Sequence, residues 1–419
     1  MDRFNRQIRI AGWNQDRIGA SRVAVVDRGW LGTFTAWGLA SLGVGEIVWI
    51  GTPRPATGRL AHWFLADPCP FSGCSIFDYP FDVEYGPELG WACSGKPPDA
   101  LLCCSPSPDA HDICGALAQR HGYAYRAGNA IARRKGSTSP THADDGEDDP
   151  IVAMVSAALL VDAVRAIVSP LRDNASAARG DLFIQPSPVT VPLTAVVVGI
   201  GGIGVYAATL AAALGMEMTL LDFDRVEATN LNRQGLFGAA DVDHRAWKAI
   251  AAKEALARLF PEARVAADVR RVDETFADTL ALVDATVVLS AVDNARTRLI
   301  LQSATKTTGI PLVQAGTDVF AADCYTQTSN GPSIDAQMHG ALSQAAAREQ
   351  DGRIERAGGC GGTPSYVVPG MLAAGLMMYR ALQVAAGRRD LPPIHWRSGY
   401  VPMEHRSTLH DFALAPLDI

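Results

Sequence analysis

At 419 residues the chain is long enough for two or three domains with ample core. Its hydrophobic fraction of 48% and charged fraction of 19% are ordinary for a folded globular protein, and a net charge of -7 argues against general nucleic-acid binding. The polar start MDRFNRQIRI has no signal-peptide apolar region, and no uninterrupted apolar run looks long enough to span a bilayer, so a cytoplasmic chain without a membrane partner is expected. The eight cysteines, Cys69, Cys74, Cys93, Cys103, Cys104, Cys114, Cys324 and Cys360, include no C-x-x-C pair; they are expected to stay reduced and to hold no structural zinc.

In chain order, Arg22–Val26 reads as a strand, Trp37–Leu42 as part of a helix and Glu46–Ile50 as a second strand. Ala100–Cys104 and Tyr123–Gly128 read as further strands, with a helix over Ala110–Arg120 between them. Arg133 to Pro150 (RRKGSTSPTHADDGEDDP) is polar, charged and aperiodic, which predicts a disordered loop. Ile151–Val168 resumes as an apolar helix, and residues 169–189 lead into the second half.

There the β-branched run Ala195–Val198 reads as a buried parallel strand. It ends in Gly199-Ile200-Gly201-Gly202-Ile203-Gly204 and passes into the apolar helix Val205–Leu214, then into the strand Met218–Leu221 with Asp222 at its end. This is a nucleotide-binding βαβ pattern: glycines for a tight turn and close backbone approach, a helix N-terminus for phosphate, an acid for ribose hydroxyls. Alone it is weak, because dehydrogenases share it. The residues beyond Asp222 are not dehydrogenase-like: Asn230-Leu231-Asn232-Arg233-Gln234, then Lys248, then Asp293-Asn294 after the strand Ala285–Ser290. An Arg, a Lys and an Asp at strand ends suit a triphosphate with magnesium better than a dinucleotide. A helix (Arg296–Thr305), a strand (Pro311–Gly316) and the stretch Val319–Thr328 come next. A polar segment, Ser329 to Gly359, contains a helix over Ile334–Arg348; then come Gly358-Gly359-Cys360-Gly361-Gly362, the helix Val368–Val384, and terminal strands over Ile394–Pro402 and Arg406–Leu414.

The first half reads as a worn copy of the second. Its turn, Asp27-Arg28-Gly29-Trp30-Leu31-Gly32, keeps two glycines but sets Asp27 and Trp30 where backbone must approach phosphate. Gly51 stands where the second copy has Asp222, and no NLNRQ comes after it. The first copy is expected not to bind ATP.

GIGGIG, LLDFDRVEATNLNRQ, Lys248 and SAVDN together resemble the ThiF/MoeB superfamily, which includes the ubiquitin-like modifier activating enzymes. The resemblance covers about a hundred residues in ordered spacing; the one departure is a slightly longer interval between Arg233 and Lys248. It implies an α/β fold of two tandem Rossmann-like domains with mainly parallel sheets, packed as a pseudo-twofold dimer: 1–175 inactive, 176–190 a linker, 191–419 active, with a crossover loop at about 329–362. Gly199, Gly201, Gly202 and Gly204 would cradle the adenylate, and Asp222 would accept from ribose. Asn230 and Arg233 would contact the β- and γ-phosphates, Lys248 would neutralise the departing pyrophosphate, and Asp293 would hold magnesium. Each has a plainer alternative: a generic Rossmann turn, a surface charge, or for Asp293 a cap on the helix starting at Ala295. Asp2 to Ile8 resembles the superfamily's opening helix, and Arg6 matches the arginine that reaches a partner's nucleotide. Cys360 matches the cysteine that forms a thioester in some minimal members; a small residue in a glycine turn is the plainer alternative, and Cys324 is the second candidate.

The expected function is MgATP-dependent adenylation of a ubiquitin-like protein at its C-terminal glycine, thioester formation on Cys360, and transfer to a conjugating enzyme. The layout resembles activating enzymes of bacterial ubiquitin-like conjugation operons, some linked to antiphage defence. Adenylation of a sulfur carrier or peptide without a thioester is the alternative; an NAD(P)-dependent oxidoreductase and a non-catalytic scaffold are rivals from other classes. Further pairing into a homo-oligomer is left open.

Overall fold

A computed structural model of the chain describes residues 3–51, 54–65, 74–79, 98–105, 114–115, 124–127, 149–171, 193–281, 284–350 and 363–397. Two compact units emerge, Gln7–Pro186 with Arg397–Ile419 and Ser187–Trp396 with Met1–Arg6. The opening six residues belong with the later unit.

The earlier unit is a parallel sheet of β1 (Arg22–Val26), β2 (Glu46–Ile50), β3 (Ser75–Tyr79), β4 (Ala100–Cys103) and β5 (Ala124–Ala127), in the order β3-β2-β1-β4-β5. β1 and β4 are buried throughout, as runs covered on both faces must be. The helix expected over Trp37–Leu42 begins already at Trp30 and runs to Leu42. The helix Pro150–Val168 packs against it. Asp149 and Pro150 are therefore not the tail of the expected disordered loop. Asp149 caps the helix through Ile151 N–H and Val152 N–H, with Pro150 at its first turn. The rest of that loop, most of the helix expected over Ala110–Arg120, and the strand expected over Arg406–Leu414 lie outside the described residues.

Among the described residues the later unit holds seven strands: β6 (Thr194–Val198), β7 (Glu217–Leu221), β8 (Val265–Asp268), β9 (Val287–Ser290), β10 (Leu312–Asp318), β11 (Ala321–Gln327) and β12 (Ile394–Arg397), ordered β12-β11-β10-β9-β6-β7-β8. From β10 to β8 neighbours are parallel, while β11 folds back antiparallel on β10. Strand order reverses between β6 and β9, whose ends pair as Val198 with Ser290, and the crevice beyond that reversal is where open α/β sheets bind ligands. The expected helix over Ile334–Arg348 is two, Ile334–Gln337 and Ala341–Gln350, broken where His339 and Gly340 both take positive φ.

Among the described residues two helices, Pro150–Val168 and Val367–Ala385, are long and apolar enough by length and composition to cross a membrane, although neither is an uninterrupted apolar run: Asp162 and Arg165 break the first and Arg380 the second. Both are core elements. Val367–Ala385 is buried almost end to end and packs on the helix Gly204–Ala213 and on β10. At Gly370 it meets the glycine loop so closely that a Cβ would stand 2.2 Å from the Gly202 carbonyl oxygen. Gly370→Ala should therefore destabilise the protein by about 1–3 kcal/mol in denaturant unfolding, the usual cost of overpacking against immovable backbone. A loss under about 0.5 kcal/mol would mean the helix shifts freely.

Candidate active site

The site starts from backbone closure after β6. Gly199 takes φ 89° and donates its N–H to Leu221 O at 2.8 Å. Five residues on, a Cβ at Gly204 would lie 1.9 Å from the Gly199 oxygen, so only glycine lets the helix Gly204–Ala213 start there. That helix has no side-chain cap, which leaves the positive end of its dipole available to an anion. Asp222, buried, accepts from Ile200 N–H at 2.6 Å and Asp224 N–H at 2.7 Å, tying the end of β7 to the loop. Burial pushes its pKa up and the Lys248 charge opposes this. A carboxylate has acceptor capacity beyond two bonds, so ribose hydroxyls remain compatible with this arrangement.

Arg233 runs beside Gly202, its Cδ 3.4 Å from where a Cβ would stand. It is 9% exposed, and its Nη1 donates to Thr229 O and Asn232 Oδ1, both at 2.8 Å. No carboxylate pairs with it among the described residues. Burial, reinforced by the positive charge of Arg6, lowers its pKa to about 9, still charged at neutral pH; Asp293 and Glu227 pull the other way. A buried, unpaired guanidinium is costly unless an anion arrives.

Asn230 is buried, with its side-chain oxygen accepting from Glu227 N–H at 2.9 Å, so its amide NH₂ is the part left to contact a ligand. Lys248 opens the helix Lys248–Leu259, where a cation opposes the helix dipole. Asp224 holds it there at 3.0 Å, and its N–H donates to Asp224 O at 2.9 Å. Just before it, Trp247 forms an isolated antiparallel bridge with Arg225. Arg6 is half-buried and its carbonyl accepts from Ser365 N–H at 3.3 Å. It thus joins Arg233 within the later unit.

Asn294, not Asp293, caps the helix Ala295–Thr308, accepting from Thr297 N–H at 2.8 Å. Asp293 is exposed and has neither hydrogen bond nor ion pair among the described residues. One free carboxylate is a fitting donor set for magnesium, which takes few protein ligands and completes its shell with phosphate and water. Among the described residues no group of three or more His, Cys, Asp or Glu forms a closed metal cage.

Cys360 lies outside the described residues. Cys324 is wholly buried in β11 and its thiol is pushed up to about 12, so it is poorly suited as the second thioester candidate. Four contributors were missed in the sequence: Asn232, which orients Arg233 and donates to Ser365 O at 3.1 Å; Asp224; Gly370; and Arg298, whose Nε and Nη2 donate to Val292 O. Asn232 and Asp224 sit inside quoted motifs, whereas nothing local marks Gly370 or Arg298.

In the earlier unit the equivalent loop keeps its shape. Asp27 takes φ 88° where Gly199 takes 89°, and a Cβ at Gly32 would lie 2.0 Å from the Asp27 oxygen. Its polar groups are consumed internally, however: the Asp27 carboxylate pairs with Arg54 at 3.0 Å. Arg28, buried, donates to Trp49 O at 3.1 Å and lies over the Trp49 ring. The Trp30 indole, expected to obstruct the loop, turns inward and stacks on Phe34.

The ThiF family model matches residues 192–401, just over half of the chain. The protein belongs to the ThiF family. The molybdopterin-synthase adenylyltransferase of Salmonella typhimurium is 36% identical over 118 residues, covering 28% of this chain and 46% of the relative. The SAMP-activating enzyme E1 of Haloferax volcanii is 35% identical over 138 residues, covering 33% and 50%. The chain thus spans about half the length of the curated relatives it matches. Among solved structures, Escherichia coli MccB with ATP aligns with a TM-score of 0.41 and 20% identity, over 50% of this chain and 62% of that one.

Because Arg233 is charged and unpaired, pyrophosphate alone should raise the melting temperature in a concentration-dependent way, and Arg233→Ala should remove most of that shift. An equal shift in the variant would place the anion elsewhere.

Proposed function

We propose that the later unit uses ATP to adenylate the C-terminal carboxylate of a small ubiquitin-like or sulfur-carrier protein. The observation that carries this reading is Arg233: a buried guanidinium that pairs with no carboxylate among the described residues, beside a glycine loop and an uncapped helix start, calls for a polyphosphate. A dinucleotide, with only two phosphate charges, makes less use of three nearby cations, Arg233, Lys248 and Arg6, than a triphosphate does. The names of the relatives, adenylyltransferases and an activating enzyme, support the same chemistry.

In the step itself a carboxylate oxygen bonds to the α-phosphorus as the bond to pyrophosphate breaks, giving an acyl adenylate. Two anions must meet, so the chain's part is alignment and positive charge. Gly199 to Gly204 approach the phosphates by backbone, and Asp222 fixes the ribose. Arg233 and the Asn230 amide take the outer phosphates, while Lys248 and Arg6 stabilise charge as pyrophosphate departs. Asp293 is the residue that would hold magnesium, which when bound shields the phosphate charge. The earlier unit, with its loop satisfied by Arg54 and Arg28, is read as the inactive copy.

The finer proposal adds a thioester: the Cys360 thiolate attacks the acyl carbon, AMP leaves, and the acyl group passes to the thiol of a conjugating enzyme. Ser365, five residues on in the sequence, is anchored to Arg6 and Asn232. The rival without a thioester is favoured by the sulfur-carrier names among the relatives. A place in a bacterial conjugation pathway with a defence role remains the most specific form of the proposal.

Two measurements separate these readings. ATP–pyrophosphate exchange should depend on a small glycine-terminated protein and fall about a hundredfold in Arg6→Ala or Lys248→Ala, a typical loss for one charge-stabilising donor; undiminished exchange in both would sink the assignment of the site. A reductant-sensitive adduct should vanish in Cys360→Ala and persist in Cys324→Ala. Exchange with no adduct would leave adenylation alone.

A further inference from the structure

The polar segment that comes after β11 is laid back along the helix Ala295–Thr308. Lys306 Nζ donates to Ser329 O at 2.7 Å in the helix's last turns. Gln302 Oε1 accepts from Asp335 N–H at 2.7 Å near its middle. Glu349 accepts from Ala295 N–H at 2.9 Å and Arg296 N–H at 3.2 Å at its start. The segment therefore runs antiparallel to the helix, with Leu342 as a buried anchor, and its last described turn arrives beside Asp293. On the other side of Asp293, Arg298 Nε and Nη2 donate to Val292 O at 3.0 and 2.8 Å.

Asp293-Asn294 is thus bracketed by a carboxylate behind and a guanidinium in front, each gripping backbone. Among the described residues Asp293 makes no hydrogen bond or ion pair of its own and only feels the charges of Arg298 and Arg233, so the backbone grips on either side fix where its side chain starts. We propose that Glu349 is a positioning residue for Asp293, so that metal use at the site depends on how the helix Ala341–Gln350 is seated. This rests on reading Asp293 as the magnesium-holding acid of an ATP site. An ordinary cap contributes stability only; a positioning carboxylate sets the affinity of a metal it does not touch.

The test is a magnesium titration of ATP-dependent thermal stabilisation in the full chain. Glu349→Ala should raise the magnesium concentration at half-effect roughly tenfold, with stabilisation by ATP in chelator unchanged. Gln302→Ala, which cuts the middle tie of the same segment, should leave the midpoint where it is in the unmodified protein. Faster hydrogen exchange at Ala295 and Arg296 confirms that Glu349→Ala released the grip. An unmoved midpoint with faster exchange overturns the proposal, as does an equal shift in Gln302→Ala. Absence of any ATP stabilisation in the unmodified chain overturns the ATP reading and this inference together, an outcome distinct from a failure specific to Glu349.

Discussion

Everything in the later unit depends on a backbone contact that no side chain could survive, the closure of Gly204 onto the Gly199 carbonyl. It lets a helix begin directly at the end of a buried parallel strand. The helix's positive end therefore opens at the point where strand order reverses, with the Arg233 side chain lying alongside at Gly202. Gly370 extends the same logic, bringing a second buried helix against the Gly202 carbonyl. The loop is held from outside by backbone and by Asp222, so it does not depend on a ligand for its shape.

The earlier unit separates shape from chemistry. Its loop reproduces the closure to within a few degrees of φ, with an aspartate in the left-handed position that glycine fills in the later unit. A non-glycine residue there is strained, though aspartate is among the more tolerant types. The strain persists because the Asp27 carboxylate and backbone are both engaged, by Arg54 and by Trp49 Nε1. Desolvation raises the carboxyl pKa against the pull of Arg54. In the later unit the charges are distributed the opposite way: Arg233 is buried with no such partner among the described residues, and the positive charge of Arg6 acts on it. One loop geometry therefore supports a self-satisfied core in one unit and an unsatisfied cationic pocket in the other.

Much of this was legible in the sequence, for identifiable reasons. Strands β6 and β9 were readable because both faces are buried and the runs are continuous, β7 and β10 because most of each run is buried, and Gly199 to Gly204 because a close approach leaves glycine as its mark. β8 was not, since Val265–Asp268 is an edge strand with no fully buried residue and no clear alternation. The break at His339-Gly340 was missed because the helical period continues across it. Arg298, Glu349 and Gly370 could not be found by spacing. Each acts on backbone brought near by tertiary packing, and backbone carries no sequence signature.

That asymmetry bears on how the two ends of the polar segment work. Its outgoing end is fixed by Glu349 on the first turn of a helix, and its returning end by Ser365 between Asn232 and the Arg6 carbonyl. Both anchors are hydrogen bonds to main-chain atoms, so neither depends on the charge state of a ligand. Yet each grips the chain close to a group that does, Asp293 at the first and Arg233 at the second. An anion settling on Arg233 would relieve its desolvation and steady Asn232, whose oxygen Arg233 holds and whose nitrogen holds Ser365. Charge compensation in the pocket is thereby linked through two hydrogen bonds, Arg233 to Asn232 and Asn232 to Ser365, to the start of the helix Val367–Ala385.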